Sequence, residues 1–452
     1  MNRFLLLSCM LVTTTFHAPA KSLTDQSLAP TTARKHVLPN GVTVIIEEDR
    51  SAPVASLQAW CGTGSIHEGK WLGAGLSHIL EHMLFKGTAK RSARRIMQEI
   101  EGVGGDMNAY TAEERTCYYA TAAAEFFPRV CDVLCDLYTE PRLSPQDIDR
   151  ERGVIGEEIL MYRDEPSSHV QENLNATYWP AHPLGRPLTG TADSIEAMGR
   201  NEFIDYRKTH YHAASTVVSV AGKISHEDVV ERVERSLASL KRGRKPASRP
   251  APKVPTRPRL HVEPRDIQQT QVAMAFPAFS HHDERRYAFH LLHVILGGNA
   301  SSRLFQELRE KRGICYSVST HPLTLDDSGV LNISIGLDRK NLAKSLALIL
   351  TELNSLREKP VGAAELKRAK EYSVGASRMS LERASSQSMR IGSSVLVYGE
   401  IIAPEVAHDR IRAVKASDIQ SAARDVLDPS RLTLAIVGPE PETPMLERIL
   451  GL

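Results

Sequence analysis

The sequence predicts an α+β fold in which amphipathic helices pack on mostly antiparallel sheets. Runs of alternating apolar and polar residues at 35–47, 54–60 and 108–122 favour strands, and Pro39-Asn40-Gly41 supplies a hairpin turn in the first run. Helical patterns occupy residues 92–102 and continue from residue 125 onward. Because strands and helices are grouped in this way, layered α+β domains are favoured.

An internal duplication is the second indication of the fold. Residues 76–87 align with 287–298 at an offset of 287 − 76 = 211, and residues 216–222 align with 432–438 at an offset of 432 − 216 = 216. The second pair are both β-like runs that end in glycine. Two copies of one structural unit explain both matches.

A possible metal site lies in the first copy, in the five residues H-I-L-E-H at 78–82. Histidines four residues apart on a helix share one face, so His78 and His82 can bind one metal ion. Glu81 lies next to that ion, where it can hold a water molecule; the motif is the inverted form of the zincin motif. The alternative is an amphipathic helix with two ordinary surface histidines.

A third ligand is predicted in the Glu-rich stretch 151–159. Ser144 is a good N-cap for this helix, Pro145 suits its first position, and Pro166 stops it. Glu151 and Glu158 are seven residues apart and therefore share a face. We predict Glu158 as the ligand and Glu151 as a carboxylate that orients a ligand or the water. The alternative is a charged surface helix.

These residues, with two further blocks, resemble the pitrilysin/insulinase family of zinc peptidases. In that family the distal glutamate follows the second histidine by about 76 residues, and here 158 − 82 = 76. The family's Gly-rich turn and Asn-Ala-x-Thr strand match G-G-D-M-N-A-Y-T at 104–111, and its distal block matches S-R-L-F-Q-E-L-R-E-K-R-G-I-C-Y-S at 302–317. Within the family, the mitochondrial processing peptidase β-subunit and its bacterial relatives resemble the chain most.

The resemblance implies two similar α/β-roll domains joined by a linker. We place the zinc-binding catalytic domain at 21–240, the linker at 241–259, and a second domain without the metal set at 260–452. In the alignment of the copies, His78 meets Phe289, Glu81 meets Leu292, and His82 meets His293. His290 and His293 are therefore interpreted as core or surface residues.

The resemblance also implies a mechanism. His78, His82 and Glu158 would hold one zinc ion per chain, and Glu81 would act as the general base. In the family an Arg/Tyr pair from the second domain grips the substrate carbonyl, and Arg309 and Tyr316 match it; a surface arginine and a buried tyrosine are the alternative. The substrate would add as a strand to the sheet edge formed by Asn108, Ala109, Tyr110 and Thr111.

Composition adds limits on partners. The 452 residues carry a net charge of 56 − 54 = +2, so a nucleic-acid partner is not indicated. Residues 241–259 contain eight Lys/Arg, five Pro and no acidic residue. A solvated, partly extended linker is favoured, with a polybasic binding patch as the alternative. We expect a peptide or unfolded polypeptide as substrate, and a homodimer or a heterodimer with a related subunit.

The N-terminus predicts export. A basic start, an apolar stretch too short to span a bilayer, and Ala18-Pro19-Ala20 form a signal peptide at 1–20. A periplasmic location is expected, with a lipid anchor at Cys9 as the alternative. Five of the six cysteines remain after cleavage, an odd number that excludes complete intramolecular pairing. We expect buried free thiols.

Two classes of function remain open from the sequence. The first is an active zinc endopeptidase, which acts alone or as one subunit of a hetero-oligomeric processing peptidase. The second is a non-catalytic assembly subunit. The complete set of His78, Glu81, His82 and Glu158 favours the enzyme.

Overall fold

A computed structural model describes residues 32–71, 73–244, 250–251, 255–439 and 443–451. The predicted signal peptide and much of the predicted linker, 245–249 and 252–254, lie outside the described residues. We call 32–244 the first half and 255–451 the second half. In the parts of the chain that the structure describes, no helix is long and apolar enough to cross a membrane.

Eleven described strands form two sheets. The first sheet has six strands in the order β1-β2-β6-β3-β5-β4, and the second has five in the order β7-β11-β8-β10-β9. The strands are β1 Arg34–Val37, β2 Thr43–Glu48, β3 Val54–Cys61, β4 Asp106–Thr111, β5 Thr116–Ala123, β6 Thr216–Gly222, β7 Arg259–Pro264, β8 Thr270–Ala278, β9 Cys315–Thr324, β10 Gly329–Leu337 and β11 Thr433–Gly438.

Helices cover the two sheets. In the first half they are α1 Leu76–Leu84, α2 Ala93–Glu101, α3 Phe127–Thr139, α4 Pro145–Asp164, α5 Pro166–Tyr178, α6 Ala192–Ala197, α7 Arg200–His210 and α8 His226–Ser236. In the second half they are α9 Arg286–Leu296, α10 Leu342–Glu358, α11 Ala363–Ser380, α12 Ala384–Tyr398, α13 Pro404–Ala413, α14 Ala416–Val426 and α15 Thr443–Leu450. A short π-helix spans Phe305–Glu310.

The two sheets share one topology, which confirms the predicted α+β fold. Strands β2 and β6 pair in parallel, as do β7 and β11, and every other pairing is antiparallel. Matching the two orders equates β6 with β11 and β3 with β8, so α1 and α9 both follow equivalent strands. The internal duplication inferred from the sequence is therefore present in the fold, with β1 as an additional edge strand of the first sheet.

Each sheet is covered on one face by a helix from the other half of the chain. Helix α5 packs on β7, β8 and β11 of the second sheet, and α12 packs on β2, β3 and β6 of the first sheet. Val170 and Leu174 of α5 are buried with Ala273 and Ala435. Because burial of apolar surface is the main favourable term in folding, the exchanged helices bind the halves to one another.

The contact of α12 with the first sheet is close and partly polar. Ile391 is buried with Trp60, and a Cβ added at Gly392 would meet the Trp60 Nε1 at 2.3 Å, so only glycine fits there. Arg390 forms an ion pair with Glu47 at 2.6 Å. The two halves are therefore interdependent in their packing.

The hairpin tips of the two halves also meet. The backbone N–H of Asp326, in the turn after β9, donates to Glu114 Oε1 at 2.9 Å, in the turn after β4.

The described ends of the predicted linker are held by the fold. The carbonyls of Lys241 and Arg242 accept backbone hydrogen bonds from residues 213 and 214, and Arg259 already begins β7. The five described cysteines are free and buried.

Candidate metal centre

Helix α1 presents the two histidines. Its buried face, which includes Ile79, Leu80 and Met83, packs into the core of the first half. This packing fixes the rotation of the helix about its own axis. His78 and His82 then project from one edge of that face, with side chains 12% and 22% exposed. Their ring centroids are 4.6 Å apart, the one-turn spacing that the sequence motif predicts.

The N-terminus of α1 is capped by a buried carboxylate. Gly75, the N-cap residue, has φ +80° and offers no side chain. Glu68, only 3% exposed, instead accepts the N–H groups of Ala74 at 3.2 Å and Ser77 at 2.9 Å on its two oxygens. Burial raises the pKa of Glu68 to about 7. No motif in the sequence indicated this residue.

Helix α4 supplies the carboxylates. It begins as predicted, because the Ser144 hydroxyl accepts the N–H of Asp147, and it ends before Pro166, which starts α5. Glu158 lies opposite both histidines: its Oε1 is 3.7 Å from His78 Nε2 and its Oε2 is 3.6 Å from His82 Nε2.

The three side chains fit a metal ion by geometry and chemistry. One ligand atom from each of His78, His82 and Glu158 lies within 4.8 Å of the others, and no other group of three possible ligands occurs in the described residues. Two histidines and one glutamate are a donor set of catalytic zinc sites, where a fourth position stays open for water. The sequence-predicted ligands are therefore adjacent in space.

Protonation of the histidines differs. Burial, together with the nearby His82, lowers the pKa of His78 to about 3, so its imidazole is neutral, the form that binds a metal. Burial also lowers the pKa of His82, but the hydrogen bond to Glu151 and three nearby carboxylates outweigh this effect and raise it. Burial raises the pKa of Glu158.

Glu151 hydrogen-bonds to His82 through the ring nitrogen that does not face Glu158. Its Oε1 is 2.9 Å from His82 Nδ1, which leaves His82 Nε2 for a metal, and its Oε2 is 2.6 Å from the Lys86 ammonium. Burial raises the pKa of Glu151, but the hydrogen bonds to His82 and Lys86 lower it further than burial raises it. This is the orienting position that the sequence analysis predicted for Glu151.

Two partners of this cluster were missed by the sequence analysis, although simple spacing could have found them. Lys86 is four residues after His82, and Tyr162 is four residues after Glu158, so each lies one helical turn from its neighbour. The Tyr162 hydroxyl hydrogen-bonds to Glu158 and lowers the pKa of that carboxyl.

Glu81 lies between the histidines in sequence and is buried. Burial raises its pKa, and the hydrogen bond from Thr111 opposes that rise. The Thr111 hydroxyl donates to Glu81 Oε2 at 2.5 Å. The structure therefore brings the predicted base and one residue of the predicted substrate strand into direct contact.

The predicted substrate strand is β4, which forms an edge of the first sheet. The N–H of Ala112 donates to the carbonyl of Arg115 across the turn, so backbone groups of Ala112, Tyr110 and Asn108 face β5. By the two-residue alternation of a strand, Ala109 and Thr111 direct their backbone groups to the free edge.

Successive side chains of β4 also lie on alternate faces of the sheet. Tyr110 packs edge-on to Trp60 at 6.2 Å, on the face that α12 covers, and Asn108 Oδ1 accepts the N–H of Ala109 at 2.8 Å. A further strand would therefore pair at Ala109 and Thr111, where it would replace Asn108 Oδ1 as the partner of the Ala109 N–H.

Arg309 and Tyr316 lie elsewhere in the chain. The Arg309 guanidinium lies 4.7 Å from the Phe305 ring and 5.2 Å from the Tyr316 ring, and Tyr316 is 79% exposed. Tyr316 opens β9, so it is about 26 Å along the strand from Thr324, the end that adjoins the first half. In the described residues, neither side chain contacts the metal group.

The described residues of the second half contain no equivalent cluster. Phe289 and Leu292 are buried where the alignment places His78 and Glu81. His293 Nδ1 is 2.7 Å from the Thr320 hydroxyl, and burial lowers the pKa of His293 to about 3 and that of His290 to about 4. Among the described residues, the group of three possible ligands lies in the first half.

Comparison with known proteins gives the family. Residues 43–192 match the family model described as insulinase (peptidase family M16), and residues 197–372 match the model described as peptidase M16 inactive domain. A protein of Streptomyces coelicolor is 36% identical over 90% of each chain. The chain belongs to the insulinase family.

Relatives of this insulinase-family chain in several bacteria cover it almost completely. The Streptomyces coelicolor protein is named an uncharacterized zinc protease, as are proteins of Mycobacterium tuberculosis, 35% identical over 93% of this chain and 96% of the relative, and of Bacillus subtilis, 31% identical over 91% and 99%. Similarity to the mitochondrial processing peptidase β-subunit in particular stays a prediction.

Solved structures share the fold. A protease from Helicobacter pylori covers 91% of this chain and 100% of its own, with TM-score 0.84 and 21% identity. A peptidase M16 inactive domain from Pseudomonas fluorescens covers 90% and 98%, with TM-score 0.82 and 20% identity. These likenesses support the two-sheet α+β architecture.

Proposed function

We propose that this protein is a zinc-dependent endopeptidase that hydrolyses peptides or unstructured polypeptide segments. The observation that carries the proposal is the convergence of His78, His82 and Glu158, with ligand atoms within 4.8 Å of one another, beside a buried Glu81. A zinc ion held there, one per chain, would lower the pKa of a bound water and polarise the substrate carbonyl. Membership of the insulinase family and the zinc-protease relatives support this chemistry.

The protein residues supply the proton transfers. Glu81 accepts a proton from the attacking water and later delivers it to the leaving amine. Its burial raises its pKa, which brings a carboxylate closer to the range in which a base can also return the proton. Glu151 fixes the imidazole of His82 through Nδ1, and the Lys86 ammonium fixes Glu151 in turn.

Substrate binding is proposed at the free edge of β4. An extended peptide would pair with the backbone groups of Ala109 and Thr111, and such main-chain pairing tolerates many side chains. Thr111 contacts Glu81, so a peptide on this edge passes beside the catalytic base. Folded segments cannot pair in this way, which favours unstructured substrates.

Arg309 and Tyr316 are proposed to grip the carbonyl oxygen, supplied to each metal site by a second copy of the chain. In support, they make no contact with the metal group of their own chain, and Tyr316 is 79% exposed with an arginine stacked on it. Exposed Tyr and Arg side chains are enriched among residues that dominate interfaces. A homodimer would therefore hold two composite sites.

A mixing experiment tests this arrangement. Glu81→Gln and Tyr316→Phe homodimers should each be nearly inactive, and subunits of the two should be dissociated and reassociated together. If the pair acts on the partner's metal site, each mixed dimer contains one intact site of two and has about half of wild-type activity, so a randomly reassociated equal mixture recovers about a quarter. No recovery in verified mixed dimers would place the pair within its own chain, or on a related second subunit.

The main proposal is tested by separating metal binding from chemistry. Glu81→Gln keeps the shape of the side chain and removes the base. We expect zinc content near one per chain in both proteins, while turnover of a peptide library falls on the order of 100-fold or more in the variant. Wild-type turnover in zinc-loaded Glu81→Gln protein would exclude Glu81 as the base.

The second candidate function, a non-catalytic assembly subunit, is favoured by none of the site residues. The assembly function would be the conclusion if fully zinc-loaded wild-type protein hydrolysed no member of a diverse peptide library.

Export to the periplasm, as inferred from residues 1–20, is part of the proposal. Cell fractionation with a variant that lacks these residues tests it, because the truncated protein should stay in the cytoplasm.

A further inference from the structure

The hydroxyl of Thr111 occupies a particular place in the site. It donates to Glu81 Oε2 at 2.5 Å, a distance typical of a strong O–H···carboxylate bond. Glu81 is buried, so a carboxylate left without such a donor would carry the full cost of desolvation. The bond fixes one oxygen of Glu81 and leaves Oε1 for the water.

This bond also limits where the Glu81 side chain can point. Glu81 adjoins His82 on α1, so a change of its side-chain rotamer would move the carboxylate relative to the metal ligands. A base that becomes a ligand would displace the water it must activate. Thr111, on a different element of the fold, holds it in one orientation.

Thr111 lies on the strand that is proposed to bind the substrate. The turn hydrogen bond from Ala112 to Arg115 sets the alternation, so the N–H and C=O of Thr111 face the free edge of β4. Met107 and Ala109 pack against the core on the same face as the Thr111 side chain, which directs that side chain to α1. One residue therefore touches the base with its side chain and the substrate edge with its backbone.

We propose that Thr111 is a positioning residue that couples addition of the peptide strand to the orientation of Glu81. The proposal rests on the peptidase function proposed above. A peptide paired with both Ala109 and Thr111 would restrain the end of β4 and, through the Thr111 hydroxyl, the carboxylate of Glu81. Binding energy from peptide residues away from the scissile bond would then appear in kcat rather than in KM.

The test uses Thr111→Val, which keeps the β-branched shape and removes only the donor, and Thr111→Ser, which restores a hydroxyl. Thr121→Val is the matched control, because the Thr121 hydroxyl in β5 of the same sheet bonds to Ser56 and not to the site. Zinc content, circular dichroism, kcat and KM are measured for each protein, with Thr111→Ala as a second hydroxyl-free variant.

We expect Thr111→Val and Thr111→Ala to lower kcat on the order of 10- to 100-fold, with KM and zinc content within about twofold of wild type. Thr111→Ser should recover most of the kcat, and Thr121→Val should match wild type. In wild type, a peptide long enough to pair with both edge positions should have a higher kcat than a short one. That length dependence should disappear in Thr111→Val.

Three results would overturn the inference: wild-type kcat in folded Thr111→Val, no recovery in Thr111→Ser, or a loss of zinc that matches the loss of rate. Retained length dependence in a slow Thr111→Val protein would overturn the coupling to the substrate strand. In all these cases the wild-type protein remains a peptidase. If wild type hydrolyses no peptide at all, the proposed function fails instead.

Discussion

The two halves of the chain share one strand order, yet among the described residues only the first brings three possible metal ligands together. Equivalent helices α1 and α9 follow equivalent strands, and where α1 has His78 and Glu81, α9 has the buried Phe289 and Leu292. The starts of α5 and α12 give an offset of 384 − 166 = 218, which pairs Glu151 and Glu158 with alanines. The same strand order therefore forms in the second half without the histidines and glutamates of the first.

The difference extends to the starts of the helices α1 and α9. Before α9, the Asp283 side chain accepts the N–H of Arg285 at 2.8 Å and forms an ion pair with the Arg285 guanidinium. Before α1, the capping carboxylate is the buried Glu68, for which the described residues provide no lysine or arginine ion pair. A buried charge is costly, so its presence at the N-terminus of α1 indicates a role in placing that helix.

The largest expected effect follows from removal of a ligand. His78→Ala and Glu158→Ala should each remove most zinc and with it the activity, because three protein ligands are needed to close the site. His293→Gln, at the position of the second half that aligns with His82, should keep one zinc per chain. Metal analysis of purified protein checks this; full zinc in both ligand variants would refute the assignment and the contrast between the halves.

The next largest effect concerns the exchanged helices. Leu174 of α5 and Ile391 of α12 are fully buried against the opposite half. Leu174→Ala and Ile391→Ala should each lower the free energy of unfolding by about 2–5 kcal/mol. Denaturant unfolding, with an exposed Leu160→Ala on α4 as control, measures the loss. If both costs fall near that of the control, the halves are less interdependent than the packing indicates.

The same packing predicts the behaviour of fragments. A fragment that ends near residue 244 lacks α12 and would expose Trp60 and Ile45, which are buried in the intact chain. We expect it to aggregate or bind a hydrophobic dye when alone, and to recover solubility with a fragment from about residue 255 onward. A monomeric, cooperatively folding first half would contradict this expectation.

A smaller effect is expected from the residues behind His82. Glu151→Gln keeps the shape but weakens the hold on the imidazole, and Lys86→Met leaves Glu151 without its cation. Zinc affinity or turnover should fall about 10- to 100-fold for Glu151→Gln, and less for Lys86→Met. Competition with a chelator gives the affinities. If Lys86→Met lost as much zinc affinity or turnover as Glu151→Gln, or more, the contact of Lys86 with Glu151 would matter at least as much as that of Glu151 with His82.

The most gradual expected effect is a pH dependence from Glu68. Its pKa in the folded protein is raised to about 7, whereas the unfolded chain ionises near 4.5. The folded state therefore binds the proton more tightly, and stability is lost as pH rises from about 5 to about 7, by at most about 1.4 kcal/mol per pH unit. Above pH 7 the contribution is constant.

Glu68→Gln removes this titration. Relative to the variant, zinc-free wild-type protein should become less stable between pH 5 and pH 7, as measured by urea unfolding at each pH. Glu114→Gln tests the same kind of titration at another place in the fold. Burial also raises the pKa of Glu114 to about 7, at the contact between the hairpin tips. A stability difference between wild type and Glu68→Gln that does not change with pH would exclude this role.

Much of this protein follows from local patterns in its sequence. The spacing of His78 and His82, the cap and end of α4, and the seven-residue step from Glu151 to Glu158 depend on helical periodicity alone. The β1–β2 hairpin follows in the same way from alternation and its Pro39-Asn40-Gly41 turn. These features involve residues close in sequence, whose relative positions the backbone geometry fixes.

Other features exist only because distant segments meet. The bond from Thr111 to Glu81 joins residues 30 apart, and the covering of Trp60 by α12 joins residues more than 300 apart. The same holds for the position of Tyr316 at the end of β9 far from the hairpin tips. Periodicity cannot report such contacts, since they depend on how layers stack and which faces of the sheets remain to be buried. The sequence predicted the ligand residues, and the tertiary structure decided which side chains hold them in place.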